Sequence, residues 1–270
     1  MSSLPLAPNC HISHLLTTKL LKLMNDDVPF FITGKGRKGP WLITCDHARN
    51  HVPKAVNNGS LGLAKGDMQR HIAYDLGAEG LSQSLGDLLD GPVLCSNFSR
   101  LVIDPNRGED DPTLLMKLYD STLIPANRDA DCDEHNRRIS NYYYPYHKAY
   151  SKLATNDRAI VAIHSFTPKL RGQLARPWEI GILFGKDRRL ADAVILGLKL
   201  KGNLVVGENE PYAGHLPGDS IDQHAQSKNR LNILIEVRND LIKNVDEQND
   251  WARFLAPILQ QALLDTRENS

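Results

Sequence analysis

The sequence has few cysteines, no net charge and no long apolar run, and each absence excludes a class of protein. Only 4 of its 270 residues are cysteine and none stands in a CxxC pair, which argues against a disulfide framework or a zinc ribbon. Lysine and arginine together number 32, as do aspartate and glutamate. We therefore expect neither a nucleic-acid nor a membrane partner, since the first needs a positive field and a membrane span needs roughly 18 apolar residues.

Several catalytic signatures are also missing. The chain has no GxSxG elbow and no HExxH pair, and its glycine-rich stretch at 34–40 lacks the Walker A pattern. A serine or cysteine hydrolase remains an alternative that rests only on Ser165 and Cys45. The first residues show no basic region followed by an apolar core, so we expect no secretory signal peptide and a cytoplasmic location.

The segments that are present alternate between apolar runs and helical spacing. The runs predict strands over 30–32, 41–43, 93–95, 100–105, 159–163, 180–184, 204–206 and 231–235. The spacing predicts helices over 15–24, 66–89, 133–153, 189–200 and 245–264, with prolines inside the third and the last. This alternation indicates one α/β domain over 1–270 with a mostly parallel, helix-covered sheet, after a loose lead-in at 1–13.

Polar side chains stand where the predicted strands end. His47 follows the strand at 41–43 and His164 follows the strand at 159–163, while Glu236 follows the last strand. The carboxyl ends of strands are where α/β sheets bind ligands, so the two histidines suggest one shared metal or acid/base site. Two imidazoles and a carboxylate can hold a catalytic zinc, and Glu236 is suited to shuttle a proton. Each histidine alone could equally be structural.

A third metal ligand and the substrate anchors are less well defined. His51 forms an HxxxH pair with His47, but the segment leads into Pro53 rather than along a helix. Arginine is the usual partner of a carboxylate, and several arginines adjoin the candidate site. The candidate substrate-binding residues are Arg100, Asn106, Arg107, Asn209, Tyr212 and Arg238.

Six stretches together resemble the N-formylglutamate amidohydrolase family. They occur in the family's order and span roughly residues 40 to 242. The stretches are Cys45-Asp46-His47-Ala48 through Pro53, Tyr74-Asp75-Leu76-Gly77, Ser99 to Arg107, His164-Ser165-Phe166 with Pro168, Asn209 to Gly214, and Ile235 to Leu241.

The resemblance implies a three-layer α/β/α sandwich around a mixed sheet of about eight strands, as in the zinc carboxypeptidases and the phosphorylase/hydrolase-like folds. It implies a divalent metal, zinc, and a small anionic amide substrate. The named reaction converts N-formyl-L-glutamate and water to formate and L-glutamate in histidine breakdown. It also implies His47 and His164 as metal ligands, Glu236 as the catalytic carboxylate, and Arg100, Asn106 and Arg107 as anchors.

The sequence departs from the zinc carboxypeptidases at one ligand. Those enzymes place glutamate three residues after the first histidine, where this chain has Asn50. We therefore expect Asp75 rather than His51 as the third ligand, with Asp46 orienting or tuning His47. A metallo-carboxypeptidase, another N-acyl amino acid deacylase and a metal-free small-anion binding protein stay open as alternatives, as does a homo-oligomer.

Overall fold

The computed structural model describes residues 28–268, which form an α/β fold around a mixed sheet of seven strands. The sheet contains β1 (Phe30–Thr33), β2 (Trp41–Cys45), β3 (Val93–Ser96), β6 (Ala159–Phe166), β7 (Ile180–Leu183), β8 (Val206–Glu208) and β9 (Asn232–Arg238). A separate hairpin pairs β4 (Leu118–Tyr119) with β5 (Thr122–Leu123). The fold class predicted from the sequence is confirmed.

Helices cover both faces of this sheet. One face packs against α1 (Ala78–Leu88), α5 (Arg189–Lys201) and α7 (Val245–Glu268). The other packs against α4 (Tyr144–Leu153) and the short α6 (Ser220–His224). Two further helices, α2 (Pro125–Arg128) and α3 (Cys132–Arg138), lie between the hairpin and α4 in the chain. No helix within 28–268 has the length and apolar character to cross a membrane.

The sheet order is β1-β3-β2-β6-β9-β7-β8, and only the β1–β3 and β7–β9 pairs are antiparallel. The central strands β2, β6 and β9 are parallel neighbours, so their carboxyl ends meet at one edge of the sheet. Their side chains are almost entirely buried, as expected for strands covered on both faces. The β6–β9 register pairs His164 with Glu236.

The strand predicted over 100–105 is wrong. This segment is a buried loop, in which the Val102 amide donates to the Ser99 carbonyl at 2.8 Å. Its apolar side chains, Leu101, Val102 and Ile103, are buried in a separate cluster under the long loops instead of in the sheet. An apolar run of this length does not distinguish a strand from a buried loop. Without a strand at this segment, the main sheet has seven strands rather than the expected number of about eight.

The helix predicted over 66–89 begins only at Ala78. Before it, a single turn at Asp67–Gln69 leads into irregular chain that carries Asp75. Gly77 has φ 81°, and a Cβ there would lie 2.2 Å from the Ile242 carbonyl oxygen, so this position requires glycine. The helical spacing of the apolar residues therefore continues into a segment where a tertiary contact prevents a helix.

The other predicted helices differ in detail. The helix predicted over 133–153 is divided, since α3 is followed by a wider π-helical segment at Ile139–Tyr143. The next helix, α4, has Pro145 in its first turn, where a missing amide hydrogen costs little. The last helix continues through Pro257 to Glu268. The helix expected over 15–24 and the lead-in at 1–13 lie outside the described residues.

Candidate metal centre

A cavity of about 380 Å³ opens where the carboxyl ends of β2, β6 and β9 meet. Its inner end is polar and includes both strand-end histidines, Asp75 and Glu236. One wall is aliphatic, with Leu183 and Leu234 paired across β7 and β9. The remaining lining residues include His71, Arg100, Asn106, Arg107, Tyr119, Phe166, Thr167, Tyr212, Leu216, Asp219 and Ile221.

Three buried side chains converge at the inner end. The Oδ2 of Asp75 lies 2.8 Å from the Nδ1 of His164 and 3.3 Å from the Nδ1 of His47. These side chains offer ligand atoms that all lie within 4.8 Å of one another, with no other such group among residues 28–268. Two imidazole nitrogens and one carboxylate oxygen are a donor set typical of catalytic zinc.

Backbone contacts hold Asp75 in this position. Its amide donates to the His47 carbonyl at 2.9 Å, and the Ser165 amide donates to its Oδ2 at 3.4 Å. The Ser165 hydroxyl also donates to the Leu76 carbonyl at 2.8 Å. The loop before α1 is therefore attached to the ends of β2 and β6, which brings the third side chain to the two histidines.

Each histidine directs its other ring nitrogen towards a buried carboxylate. The Nε2 of His47 lies 2.7 Å from Oδ1 of Asp104, and the Nε2 of His164 lies 3.5 Å from Oδ2 of Asp46. Ligating histidines usually have such a partner, which fixes the tautomer and leaves the Nδ1 lone pair free for the metal. The residues present therefore fit a divalent metal held by His47, Asp75 and His164.

The placement of Asp46 corrects one expectation. We expected Asp46 to orient His47, its neighbour in sequence, but it faces His164 instead. Asp46 also accepts hydrogen bonds from the hydroxyls of Tyr146 and Ser220. Asp46 and His47 form the turn that follows β2 at Cys45, where neighbours in sequence need not face the same partner.

Ionised carboxylates surround the two histidines. Burial by itself raises the pKa of Asp46, but the hydrogen bond and charge of His164 outweigh burial and lower that pKa to about 2. At Asp75, the two histidines outweigh the effect of burial and lower the pKa below its ordinary range. At Asp104, Arg100 and His47 do the same. Burial lowers the pKa of His164, yet Asp46 and Asp75 raise it well above its ordinary value. The site thus concentrates negative charge that a bound cation would neutralise.

Glu236 differs from the other carboxylates. It is buried beside the group of His47, Asp75 and His164, which we call the metal-type group. Its Oε2 has no hydrogen-bond partner among residues 28–268. Burial is the main cause that raises its pKa to about 7, and the charge of Asp75 adds to the rise while His164 opposes it. A carboxyl group that can gain or lose a proton near neutral pH is suited to general acid–base chemistry.

The predicted anchors at Arg100, Asn106 and Arg107 line the cavity, but each already has partners. Arg100 donates two hydrogen bonds to Oδ2 of Asp104 and lies 3.6 Å from Oδ1 of Asp75. Arg107 donates to the Asn106 carbonyl at 2.7 Å and lies 3.9 Å from Asp111. Arg100 is thus part of the carboxylate network behind the metal-type group.

Two other predicted anchors lie away from the cavity, and one lines it. The Oδ1 of Asn209 accepts a hydrogen bond from the Phe184 amide at 2.9 Å, and Arg238 is paired with Asp240 at 2.8 Å. These contacts give Asn209 and Arg238 structural roles, so we do not include them among the substrate-binding residues. Tyr212 does line the cavity, as expected.

The structure also places His51, which we did not expect as a ligand, and Asn50, which occupies the position of the carboxypeptidase glutamate. His51 is absent from the metal-type group, and Asn50 turns away to donate to the Met68 carbonyl at 2.7 Å. Sequence reasoning missed the contacts of Asp104, Tyr146 and Ser220. Asp104 had a signal, since it ends an apolar run inside one of the six stretches, whereas nothing marked the other two.

A family model described as N-formylglutamate amidohydrolase matches residues 39–243. The chain belongs to this family. It is accordingly an amidohydrolase, a hydrolase that acts on an amide. A comparison with curated proteins finds no match.

Solved structures share this fold. The crystal structure of gene product Atu2144 from Agrobacterium tumefaciens is 33% identical with a TM-score of 0.83, covering 90% of this chain and 98% of that one. The N-formylglutamate amidohydrolase from Ralstonia eutropha JMP134 is 22% identical with a TM-score of 0.66, covering 90% of this chain and 100% of that one. At 22% identity the likeness shows the fold alone.

Proposed function

We propose that this amidohydrolase is a divalent-metal-dependent deacylase of small N-acyl amino acids, with N-formyl-L-glutamate as the first substrate to test. The observation that carries the proposal is the buried group of His47, Asp75 and His164, which lies beside Glu236 at the end of a cavity. Zinc is the metal that this donor set favours. The family name supports the choice of first substrate.

When bound, the metal would supply Lewis-acid polarisation of the amide carbonyl and acidify water. The protein's own residues supply the remaining chemistry. Glu236 accepts a proton from the attacking water, because its buried carboxyl lies beside the three ligands and has an oxygen, Oε2, without a hydrogen-bond partner in the described residues. It then returns that proton to the leaving amine nitrogen.

Asp104 holds the His47 imidazole through Nε2 at 2.7 Å, and Asp46 faces Nε2 of the His164 imidazole at 3.5 Å. Arg100 fixes Asp104 through two hydrogen bonds and thereby keeps His47 in place.

A second candidate is a deacylase for larger acyl groups. The aliphatic wall made by Leu183, Ile221 and Leu234 lies next to Glu236 and could pack against an acyl chain of several carbons. A formyl group has no carbon chain to pack against this wall. This observation favours testing longer acyl groups alongside the formyl group.

A substrate panel tests both candidates. The zinc-loaded protein is assayed with formyl, acetyl, butyryl and hexanoyl derivatives of L-glutamate and of L-leucine, and with short peptides. The proposal predicts that at least one N-acyl amino acid has a higher kcat/KM than any peptide. A protein that cleaves peptides from the carboxyl end, but no N-acyl amino acid, would be a metallo-carboxypeptidase and would contradict the proposal.

A further inference from the structure

The arginines around the cavity differ in how far their charge is already neutralised. Arg100 is paired with Asp104 and lies near Asp75, and Arg107 lies near Asp111. Arg176 adjoins the cavity through Phe166 and Tyr212, which line it, and forms no salt bridge with any carboxylate in the described part of the chain. A guanidinium without an acidic partner is the cation best able to accept a carboxylate from outside the protein.

Arg176 is nonetheless held in a defined position. Its Nη1 donates to the Thr167 carbonyl at 3.1 Å and to the Tyr212 hydroxyl at 3.2 Å. Its guanidinium carbon lies 5.0 Å from the ring centroid of Tyr212 and 5.6 Å from that of Phe166. Both partners of Nη1 are neutral, and all three contacted residues line the cavity. The side chain is thus preorganised while its charge stays available.

The position of Phe166 places Arg176 relative to the reacting centre. Phe166 follows His164 by two residues on β6, so both side chains lie on the same face of the sheet. Two residues of strand separate them by about 7 Å. Glu236 pairs with His164 across β6 and β9, so the Phe166 side chain that Arg176 contacts lies on the same face of the sheet as the reacting centre.

We infer that Arg176, held by Tyr212 and Phe166, binds the α-carboxylate of the substrate. The inference rests on the proposed deacylase function, because it takes the scissile amide to lie between Glu236 and Arg176. It names the substrate class as N-acyl amino acids with a free α-carboxylate, whatever their side chain. Arg100 and Arg107 then have no need to bind this group.

The test compares Arg176→Gln with wild-type holoenzyme on matched substrates. N-formyl-L-glutamate, or the best substrate of the panel, is compared with the same compound carrying an α-carboxamide. Arg176→Gln should lower kcat/KM for the acid roughly 10- to 100-fold, mostly through KM, because a charge-assisted hydrogen bond is lost. Turnover of the carboxamide should change less than about twofold, since it never used the charge.

Two further variants control the comparison. Arg171→Gln removes the same charge from the same loop at an exposed position and should leave both substrates within about twofold of wild type. Arg176→Lys keeps the charge without the planar fork and should give a partial loss for the acid. Equal losses for acid and carboxamide in Arg176→Gln, or no loss in either, would overturn the inference.

Failure of the proposed function gives a different result. If the wild-type holoenzyme hydrolyses no N-acyl amino acid, the proposed function fails, and equilibrium binding of N-formyl-L-glutamate by calorimetry still tests Arg176. Weaker binding to Arg176→Gln than to Arg171→Gln supports the inference in that case. Equal binding to both variants, or no binding to the wild type, overturns it.

Discussion

On one face of the central sheet, Ile163 and Ile235 are fully buried against α1, α5 and α7. On the opposite face, their chain neighbours His164 and Glu236 reach the cavity. The side chains on both faces are buried, but only the second face places imidazole and carboxylate groups beside a cavity. The apolar face can stabilise the fold by burial alone, whereas the polar face must offset the cost of burying charge through paired contacts.

The comparison teaches where stability and function lie in this molecule. The cost on the polar face is reduced by the network of Asp46, Asp104 and Arg100, which satisfies most of the buried charge. Oε2 of Glu236 and Nε2 of His164 are exceptions, since neither has a hydrogen-bond partner in the described residues. Substitutions on the two faces should therefore separate loss of activity from loss of stability.

The largest effect is expected at Glu236. Glu236→Gln keeps the size of the side chain but cannot transfer a proton, so kcat/KM should fall roughly 10²- to 10⁴-fold. Metal content and the circular dichroism spectrum should stay those of the wild type, because Glu236 is not among the three ligands. Activity close to that of the wild type would show that another group moves the proton.

A substitution on the apolar face should lower the stability of the protein and leave its activity unchanged. Leu255 in α7 is fully buried, and Leu255→Ala should destabilise the protein by about 2–5 kcal/mol through lost burial and a cavity. Denaturant unfolding of the metal-loaded protein measures this change. Activity per folded molecule should be unchanged at temperatures well below the unfolding midpoint.

The matched control is Leu264→Ala in the same helix. Leu264 is 56% exposed, so its loss should change stability by no more than about 0.5 kcal/mol. Equal destabilisation by the two alanine variants would mean that α7 does not stabilise the sheet by burial of its inner face.

A smaller effect, on metal affinity, is expected from the carboxylates that contact the two ligand histidines. Asp104→Asn removes the charge 2.7 Å from Nε2 of His47 and should weaken metal affinity about 10- to 100-fold. Asp46→Asn should weaken it less, because Asp46 lies 3.5 Å from Nε2 of His164. Competition with a chelating dye measures both affinities, and a larger loss in Asp46→Asn would reverse the assigned importance of the two carboxylates.

Sequence patterns predicted much of the apolar face and part of the polar one. The central strands and both histidines follow from apolar runs that end in polar residues. The placement of Asp75 in the site depended on the family resemblance. The irregular chain before α1 depends on the contact of Gly77 with Ile242, which no local pattern shows.

The rest of the site depends on contacts between residues distant in the sequence. Asp46 meets Ser220 across 174 residues and Tyr146 across 100, so neither pairing leaves a periodic signal. The unpaired state of Arg176 is a property of its surroundings, and sequence reasoning treated it as one arginine among several. Asn209 and Arg238 were chosen by residue type, which does not show that their side chains are already bonded elsewhere.

Metal analysis of the purified protein by mass spectrometry tests the assignment of the polar face most directly. The wild type and His51→Ala should each hold about one divalent ion per chain after loading with zinc or cobalt and desalting, because His51 lies outside the ligand group. His47→Ala and His164→Ala should retain far less than one. A wild type that binds no metal and gains no activity with either ion, or a His164→Ala variant that retains a full ion, would contradict the assignment.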